Sequence, residues 1–301
     1  MEIINFGATS PPTRQIHCHA AGGPLLQEVL RGLQSGRLPA DNERARWLIE
    51  FGAVYVSSQR VTDTDWETKS DDLVRIHLDP KRYSLNKAEI KKRVVFENAD
   101  FLVVDKTSGI PMHPTLDNLR ENLLWAFENL VYVTHRLDVP TSGLCVLAKT
   151  KRFQTEFNRV VSKREIRKIY QAWVSRSEKS GSSPDLPGPG LLRHFMKVSV
   201  KAPKEVVSLE SVLPDQKYDE CLSKILSSKI LNEKIFELEI ELVTGRTHQI
   251  RAQLACEGMP LLGDEMYGGQ KSEIFGLHAS TLEFRCPLSG EQFSFSRHRT
   301  I

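Results

Sequence analysis

A chain of 301 residues, 40% hydrophobic and 26% charged, has room for one large domain or two and the make-up of an ordinary soluble globular protein. Its 41 Lys and Arg against 38 Asp and Glu leave a net charge of +3. Charge alone therefore argues for no nucleic-acid partner, and a basic surface has to come from uneven distribution. No apolar run approaches a membrane span, and the opening MEIINFGATSPPTRQ lacks a basic region followed by an apolar one, so neither a membrane protein nor a secreted one is expected.

In chain order, residues 24–35 (PLLQEVLRGLQS) carry helical apolar spacing. A second helix is predicted over 42–51, with Asn42 as its cap and Gly52 as its stop. VYVSSQRV and LVRIHLD follow as strands, closing a small helix-helix-hairpin unit near Asp79. The polar, basic stretch 80–92 reads as a linker. Beyond Arg93, VVFEN and FLVVDK read as a hairpin, Leu144–Lys149 as a strand, Arg152–Val161 as a helix and Lys168–Val174 as a strand. Residues 175–190, rich in Ser, Pro and Gly, read as an exposed loop. Strands are expected at 191–200 and 235–243, with a charged insertion at 214–234 left without assignment. THQIRAQLACEG is a helix ended by Gly258, and a last strand pair covers about 276–295. Many strands with few helices between them predict an α+β fold: a mixed, largely antiparallel sheet with flanking helices, preceded by a small α/β domain. The expected division is an extension at 1–22, a small domain at 23–79, the linker at 80–92 and the main domain at 93–301.

Five cysteines (Cys18, Cys145, Cys221, Cys256, Cys286) are odd in number and contain no Cys-x-x-Cys pair, which predicts reduced thiols and an intracellular setting, with cytoplasm, nucleus and organelle left open. His17-Cys18-His19 lacks the second half that a zinc site needs, so no metal is expected. The chemistry concentrates elsewhere, in HRLDVPTSGL (135–144), KIYQAWV (168–174), TGRTHQIR (244–251) and GDEMYG (263–268). In the first of these, Asp138 sits among residues that otherwise belong to a core. A carboxylate there needs a partner or a purpose. Unpaired, it would hold a proton and be a poor nucleophile. An arginine at salt-bridge distance, from Arg136, Arg246 or Arg251, would keep it ionised and oriented. Tyr170 offers a flat ring suited to stacking on a base. Taken singly, each residue fits a plain Arg–Asp staple beside an ordinary core tyrosine. The combination is what points to a site.

Together these stretches resemble the RluA-type pseudouridine synthases. All eight specified positions of His-Arg-Leu-Asp-x-x-Thr-Ser-Gly-Leu are present, KIYQAWV is similar to Lys-x-Tyr-x-Ala-x-Val, and GRTHQIR matches in full. The resemblance runs from about Val94 to Phe295, with the motifs in the family's order. It implies that Asp138 is the catalytic aspartate, Tyr170 the base-stacking tyrosine and Arg251 the arginine that pairs with the aspartate. It places His135, Arg136, Thr141, Arg246, His248 and Gln249 at the substrate. It implies an isomerase that turns uridine within RNA into its C-glycoside without cofactor or metal, on structured ribosomal or transfer RNA, with a monomer favoured. Lys106-Thr107-Ser108-Gly109 departs from the family's Lys-Pro-x-Gly, and the segment between Val174 and Phe236 is longer and less similar than the family's. ARWLIEFGAVYVSSQRV…DDLVRIHL is similar, more distantly, to S-four-like RNA-binding domains. Two other readings stay open. One is an RNA-binding or RNA-folding protein without catalysis on the same scaffold. The other is a nucleoside hydrolase, which ordinarily needs two carboxylates where these motifs hold one.

Overall fold

The computed structural model describes residues 14–175, 187–199 and 202–299. Its contacts divide the chain into two units, one of residues up to Leu85 with His113–Trp125, the other of Asn86–Met112 and Ala126 onward. In the first unit, β1 (Gln15–His19), β3 (Val54–Val56), β4 (Gln59–Arg60) and β6 (Leu73–His77) form an antiparallel sheet in the order β1-β6-β3-β4. The two-residue strands β2 (Gly23–Pro24) and β5 (Glu67–Thr68) pair separately. Helices α1 (Leu25–Ser35) and α2 (Asn42–Glu50) bury Leu25, Val29 and Leu33, and Ala45, Leu48 and Ile49, against Ile16, Val54, Val56, Val74 and Ile76. The cap of α2 is Asp41, one residue before the expected Asn42; its carboxylate accepts the Arg44 N–H at 2.7 Å. That bond contributes about 1 kcal/mol.

Three expected boundaries move. Gln15–His19, assigned to an extension, is paired along its length with β6. Within the expected linker, Asn118 donates to the Lys81 carbonyl and the Glu121 carboxylate accepts the Tyr83 N–H, which ties 80–85 to the first unit. Lys87–Lys92 of the same linker is helix α3, capped by Asn86. The first two follow from partners distant in sequence, which local composition does not reveal.

The second unit is built on one eleven-stranded sheet. Its strands are β7 (Val94–Glu97), β8 (Phe101–Lys106), β9 (Tyr132–Val133), β10 (Ser142–Ala148), β11 (Ile166–Ser175), β12 (Gly190–Lys197), β13 (Val206–Val207), β14 (Tyr218–Ile230), β15 (Ile235–Leu242), β16 (Leu277–Arg285) and β17 (Gln292–Ser296). The main order is β13-β12-β14-β15-β11-β16-β10-β8-β7, with β17 on β16 and β9 on β10. Among the described residues all pairs of this sheet are antiparallel except β10–β16, where Ser142 faces His278 and Gly143 faces Ala279. The sheet is thus mixed and largely antiparallel, as expected. The unassigned 214–234 stretch is mostly the long strand β14, which pairs with both β12 and β15. The expected loop at 175–190 lies largely outside the described residues.

Three further α-helices lie among the described residues: α4 (Leu123–Ala126), α5 (Lys151–Ser162) and α6 (Gln249–Cys256). Thr150 caps α5, and the spacing Phe153, Phe157, Val160 lays one stripe of it on the sheet. There the rings of Phe101 and Phe153 stack at 4.7 Å, and Phe157 meets Phe284 edge-on at 4.9 Å. This aromatic core fills one face of the sheet beneath β8, β10 and β16. The opposite face carries the candidate site.

Candidate active site

The register sets out one row across four strands. Tyr170 on β11 lies beside Ala279 on β16, Ala279 beside Gly143 on β10, and Gly143 beside Lys106 on β8. Alternation along each strand puts these side chains on the face away from the aromatic core. Between the two large residues, alanine and glycine leave the backbone nearly bare. Gly143 cannot be otherwise: at φ +113°, an added Cβ would lie 2.4 Å from the Ala279 oxygen and 2.5 Å from its nitrogen. The glycine of the Thr-Ser-Gly-Leu run is what lets β10 meet β16.

Asp138 stands just before β10, on a turn closed by the Thr141 N–H onto its carbonyl at 3.0 Å. The segment 106–109 holds that turn from behind. The Gly109 N–H donates to the Val139 carbonyl at 2.9 Å, and the Ser108 hydroxyl to the Pro140 carbonyl at 2.6 Å. Lys106, fully buried, donates to the carbonyls of Thr107, Ile110 and Val139 at 2.9, 2.9 and 3.2 Å. Burial draws its ammonium down to about 8, opposed by the charges of Cys145 and Asp138. The motif comparison marks Thr107 as the departure and gives no role to the lysine beside it. A charged residue in the apolar run FLVVDK was the available signal.

Arg251 arrives from α6, one turn after His248, so both reach the same side. His248 is the helix's cap residue at φ 61°, a left-handed backbone that a non-glycine residue adopts only when its surroundings hold it there. Its Nδ1 lies 3.1 Å from the Tyr267 hydroxyl, and its Nε2 3.9 Å from Asp138 Oδ2. Arg251 Nη1 lies 3.5 Å from the same Asp138 oxygen, at the limit of hydrogen bonding, so the link is chiefly electrostatic. The stronger hold on Arg251 comes from Asp264: Nε to Oδ2 at 2.7 Å and Nη2 to Oδ1 at 2.8 Å, a two-pronged pair with both side chains buried. Burial alone would lower the guanidinium's pKa, but Asp264 and then Asp138 outweigh it and raise it. Tyr267 and Phe275 lie against the guanidinium, its carbon 5.0 and 5.3 Å from their ring centres. Asp264 belongs to GDEMYG, where nothing local marks which of the two acids turns inward. It is the second carboxylate that the motifs had not disclosed.

The other expected residues divide. Tyr170 is buried, and burial, then the charge of Asp138, pushes its phenol well above the usual range. Arg136 is exposed and forms no ion pair among the described residues. Thr141 is buried, with no hydrogen-bond partner for its hydroxyl among them. Arg246 pairs with Asp219 at 3.3 Å rather than with Asp138. Two expected substrate contacts are engaged internally. His135 accepts the Val146 N–H on Nε2 at 3.2 Å, and burial, then Lys168, takes it down to about 3. The Gln249 oxygen accepts from Thr244 and the Arg246 N–H, while its nitrogen donates to Leu222, Ser223 and Gln253. Among the described residues no group of His, Cys, Asp and Glu has the makings of a metal site.

The family model described as RNA pseudouridylate synthase matches residues 100–256, which hold Asp138, Tyr170 and Arg251. An uncharacterised RNA pseudouridine synthase of Chlorobaculum parvum is 31% identical over 82% of this chain and 83% of its own length. The ribosomal large subunit pseudouridine synthase D of Xanthomonas campestris is 32% identical over 67% of this chain and 64% of its own. RNA pseudouridine synthase 6, chloroplastic, of Arabidopsis thaliana is 30% identical over 69% of this chain, which spans only 47% of that relative. Among solved structures, human RNA pseudouridylate synthase domain containing 1 aligns with 68% of this chain and 82% of its own at a TM-score of 0.53 and 21% identity, a likeness of fold.

Proposed function

This chain belongs to the RNA pseudouridylate synthase family, and on that premise we propose that Asp138 initiates the isomerisation of a uridine within RNA to pseudouridine. The observation that carries the reading is the pairing of a partly exposed Asp138 with a buried Arg251 that is itself fixed by Asp264. The target nucleotide leaves its stack, because the reacting carbons are out of reach inside a helix. Its base lies over the bare Ala279–Gly143 floor beside Tyr170, and exposed Arg136 fills the space it leaves. Asp138 attacks the anomeric carbon or takes the sugar proton next to it; both routes break the bond from N1 to the sugar. The released uracil, anionic at N1, turns and bonds C5 to the same carbon as the Asp138 ester breaks or the sugar proton is returned; the C5 proton then leaves to solvent and N1 takes one up. His135 and Gln249 serve this reading as frame, Thr141 and His248 as groups at the edge of the cleft.

Asp264 bears on the hydrolytic alternative. A water-activating carboxylate has to be free to accept a proton, whereas both oxygens of Asp264 are committed to Arg251 and the residue is 2% exposed. That favours rejoining over hydrolysis. The name of the Xanthomonas campestris relative, a ribosomal large subunit pseudouridine synthase, supports ribosomal RNA as the substrate class. The first unit is read as an S-four-like RNA-binding domain. Its two helices on an antiparallel sheet support this, as does the cross-strand row His17, Arg75, Tyr55, Arg60.

The test is release of tritium from RNA labelled at C5 of uridine. Wild type should release label, and Asp138→Ala should fall by on the order of 10³-fold or more. Equal release by the two proteins would remove Asp138 from the reaction.

A further inference from the structure

Behind the Asp138 turn, on the sheet face opposite Tyr170, the second unit holds a cavity of about 340 Å³. That is the volume of about ten waters in the liquid, room for a phosphate group with a sugar attached. Three guanidiniums line it, from Arg93, Arg297 and Arg299, against one carboxylate, Asp105. Register puts the cavity on this face: Ser142 and His278, both in its wall, are Cα partners one residue before Gly143 and Ala279.

The cations outnumber their partners. Asp105 is held by Arg93, Nη2 to Oδ2 at 2.8 Å. Glu237, the other nearby acid, already accepts the Trp173 indole N–H at 2.8 Å and the Gln171 amide at 3.1 Å. Arg299 lies over the Trp173 ring at 4.4 Å and donates both terminal nitrogens to the Phe275 carbonyl at 3.2 Å, with no carboxylate in its ion pairs among the described residues. Arg297 gives the fold only its backbone. Its N–H bonds the Ser280 carbonyl at 2.8 Å and its own carbonyl lies 2.9 Å from His278 Nε2, while its exposed guanidinium enters no ion pair among the described residues. Of the seven buried side-chain polar atoms without a hydrogen-bond partner among the described residues, three belong to this wall: Asp105 Oδ1, Thr107 Oγ1 and Arg299 Nε. Buried polar groups in native structures are nearly always satisfied, and of these three the Arg299 Nε–H and the Thr107 hydroxyl can donate to an oxyanion.

We propose that this pocket is a second binding site and that its ligand is a phosphate group. Arg299, held by a ring and a carbonyl, and Arg297, outside any ion pair among the described residues, present planar guanidiniums of the kind that suits tetrahedral oxyanions. The phosphate has two sources, the backbone of a bound RNA or a free phosphate or nucleotide. A line of contact already joins the pocket to the reaction: His278 Nδ1 lies 2.9 Å from the Ser142 hydroxyl, four residues from Asp138.

The test uses the whole chain and Arg297→Ala, whose removed side chain supports no other group, with Arg297→Lys to separate charge from shape. Inorganic phosphate is titrated by calorimetry at constant ionic strength, and binding of a short RNA hairpin is measured across a salt series. Loss of about tenfold in phosphate affinity in Arg297→Ala, partly restored in Arg297→Lys, supports the site. A salt slope lower by about one in Arg297→Ala assigns it to the RNA backbone; an unchanged slope alongside weakened phosphate binding assigns it to free phosphate. If the substitution changes neither quantity, the proposal is overturned.

Discussion

At the scale of single residues, the site depends on charges that compensate one another in a nearly closed space. Arg251 stands between two carboxylates, and the geometry ranks them: 2.7 and 2.8 Å to Asp264, 3.5 Å to Asp138. Asp264→Asn should therefore act through Arg251. Breaking a buried pair from one side costs about 3 kcal/mol, read by urea unfolding, and the loosened arginine should lower kcat with little change in KM. An unchanged kcat with the expected loss of stability would confine Asp264 to the frame. His135 supplies a pH prediction. Its folded pKa, about 3, lies below the 6.5 of an open histidine, so the unfolded chain binds the proton that the folded chain refuses. This contribution is complete above pH 6.5 and shrinks as pH falls, by about 2 kcal/mol at pH 5. Unfolding free energies of wild type and His135→Asn across pH 7 to 5 should converge by about that amount. Parallel curves would show that His135 takes up its proton while folded.

Elements set the precision with which those residues meet. The single parallel pairing, β10 with β16, brings Tyr170, Ala279, Gly143 and Lys106 into one row, and it exists because position 143 has no side chain. Gly143→Ala should force β10 from β16, with a loss of roughly 3 kcal/mol or more and of activity together. Retention of both would mean that the strands are less tightly set than the register implies. On the other face, Phe153→Ala should cost about 3–5 kcal/mol, since it removes a ring stacked on Phe101 and Phe157. Its kcat should hold wherever the protein remains folded. The strands themselves were legible from alternation, as was α5 from its Phe-Phe-Val stripe. The strand β14 was not. Only Cys221, Ser223 and Ile225 of it are buried, and the charged residues between and around them, such as Asp219, Glu220 and Lys224, made a strand inside the sheet look like a polar insertion.

For the whole molecule, reduced thiols have a direct consequence. Cys145, Cys221 and Cys286 are buried, Cys18 is half-buried, and only Cys256 is exposed. Burial pushes the Cys145 thiol up to about 12. A thiol reagent should modify one cysteine quickly, and Cys256→Ser should abolish that phase; several fast thiols in the native protein would contradict the packing. The net charge of +3 says little by itself, because the cations that matter are gathered: three guanidiniums round one pocket, one between two acids at the Asp138 site. What the sequence determined was most of the strands along the chain, the family motifs and the candidate set Asp138, Tyr170 and Arg251, because these are written in neighbouring residues and in periods of two and three or four. Tertiary structure alone decided that Asp264 holds Arg251, that Lys106 ties down the Asp138 turn, that Gln249 and His135 point into the frame, and that Gln15–His19 belongs to a sheet. Each of these is a partnership between residues far apart in the chain, settled by which buried polar groups could satisfy one another, and no local pattern carries that information.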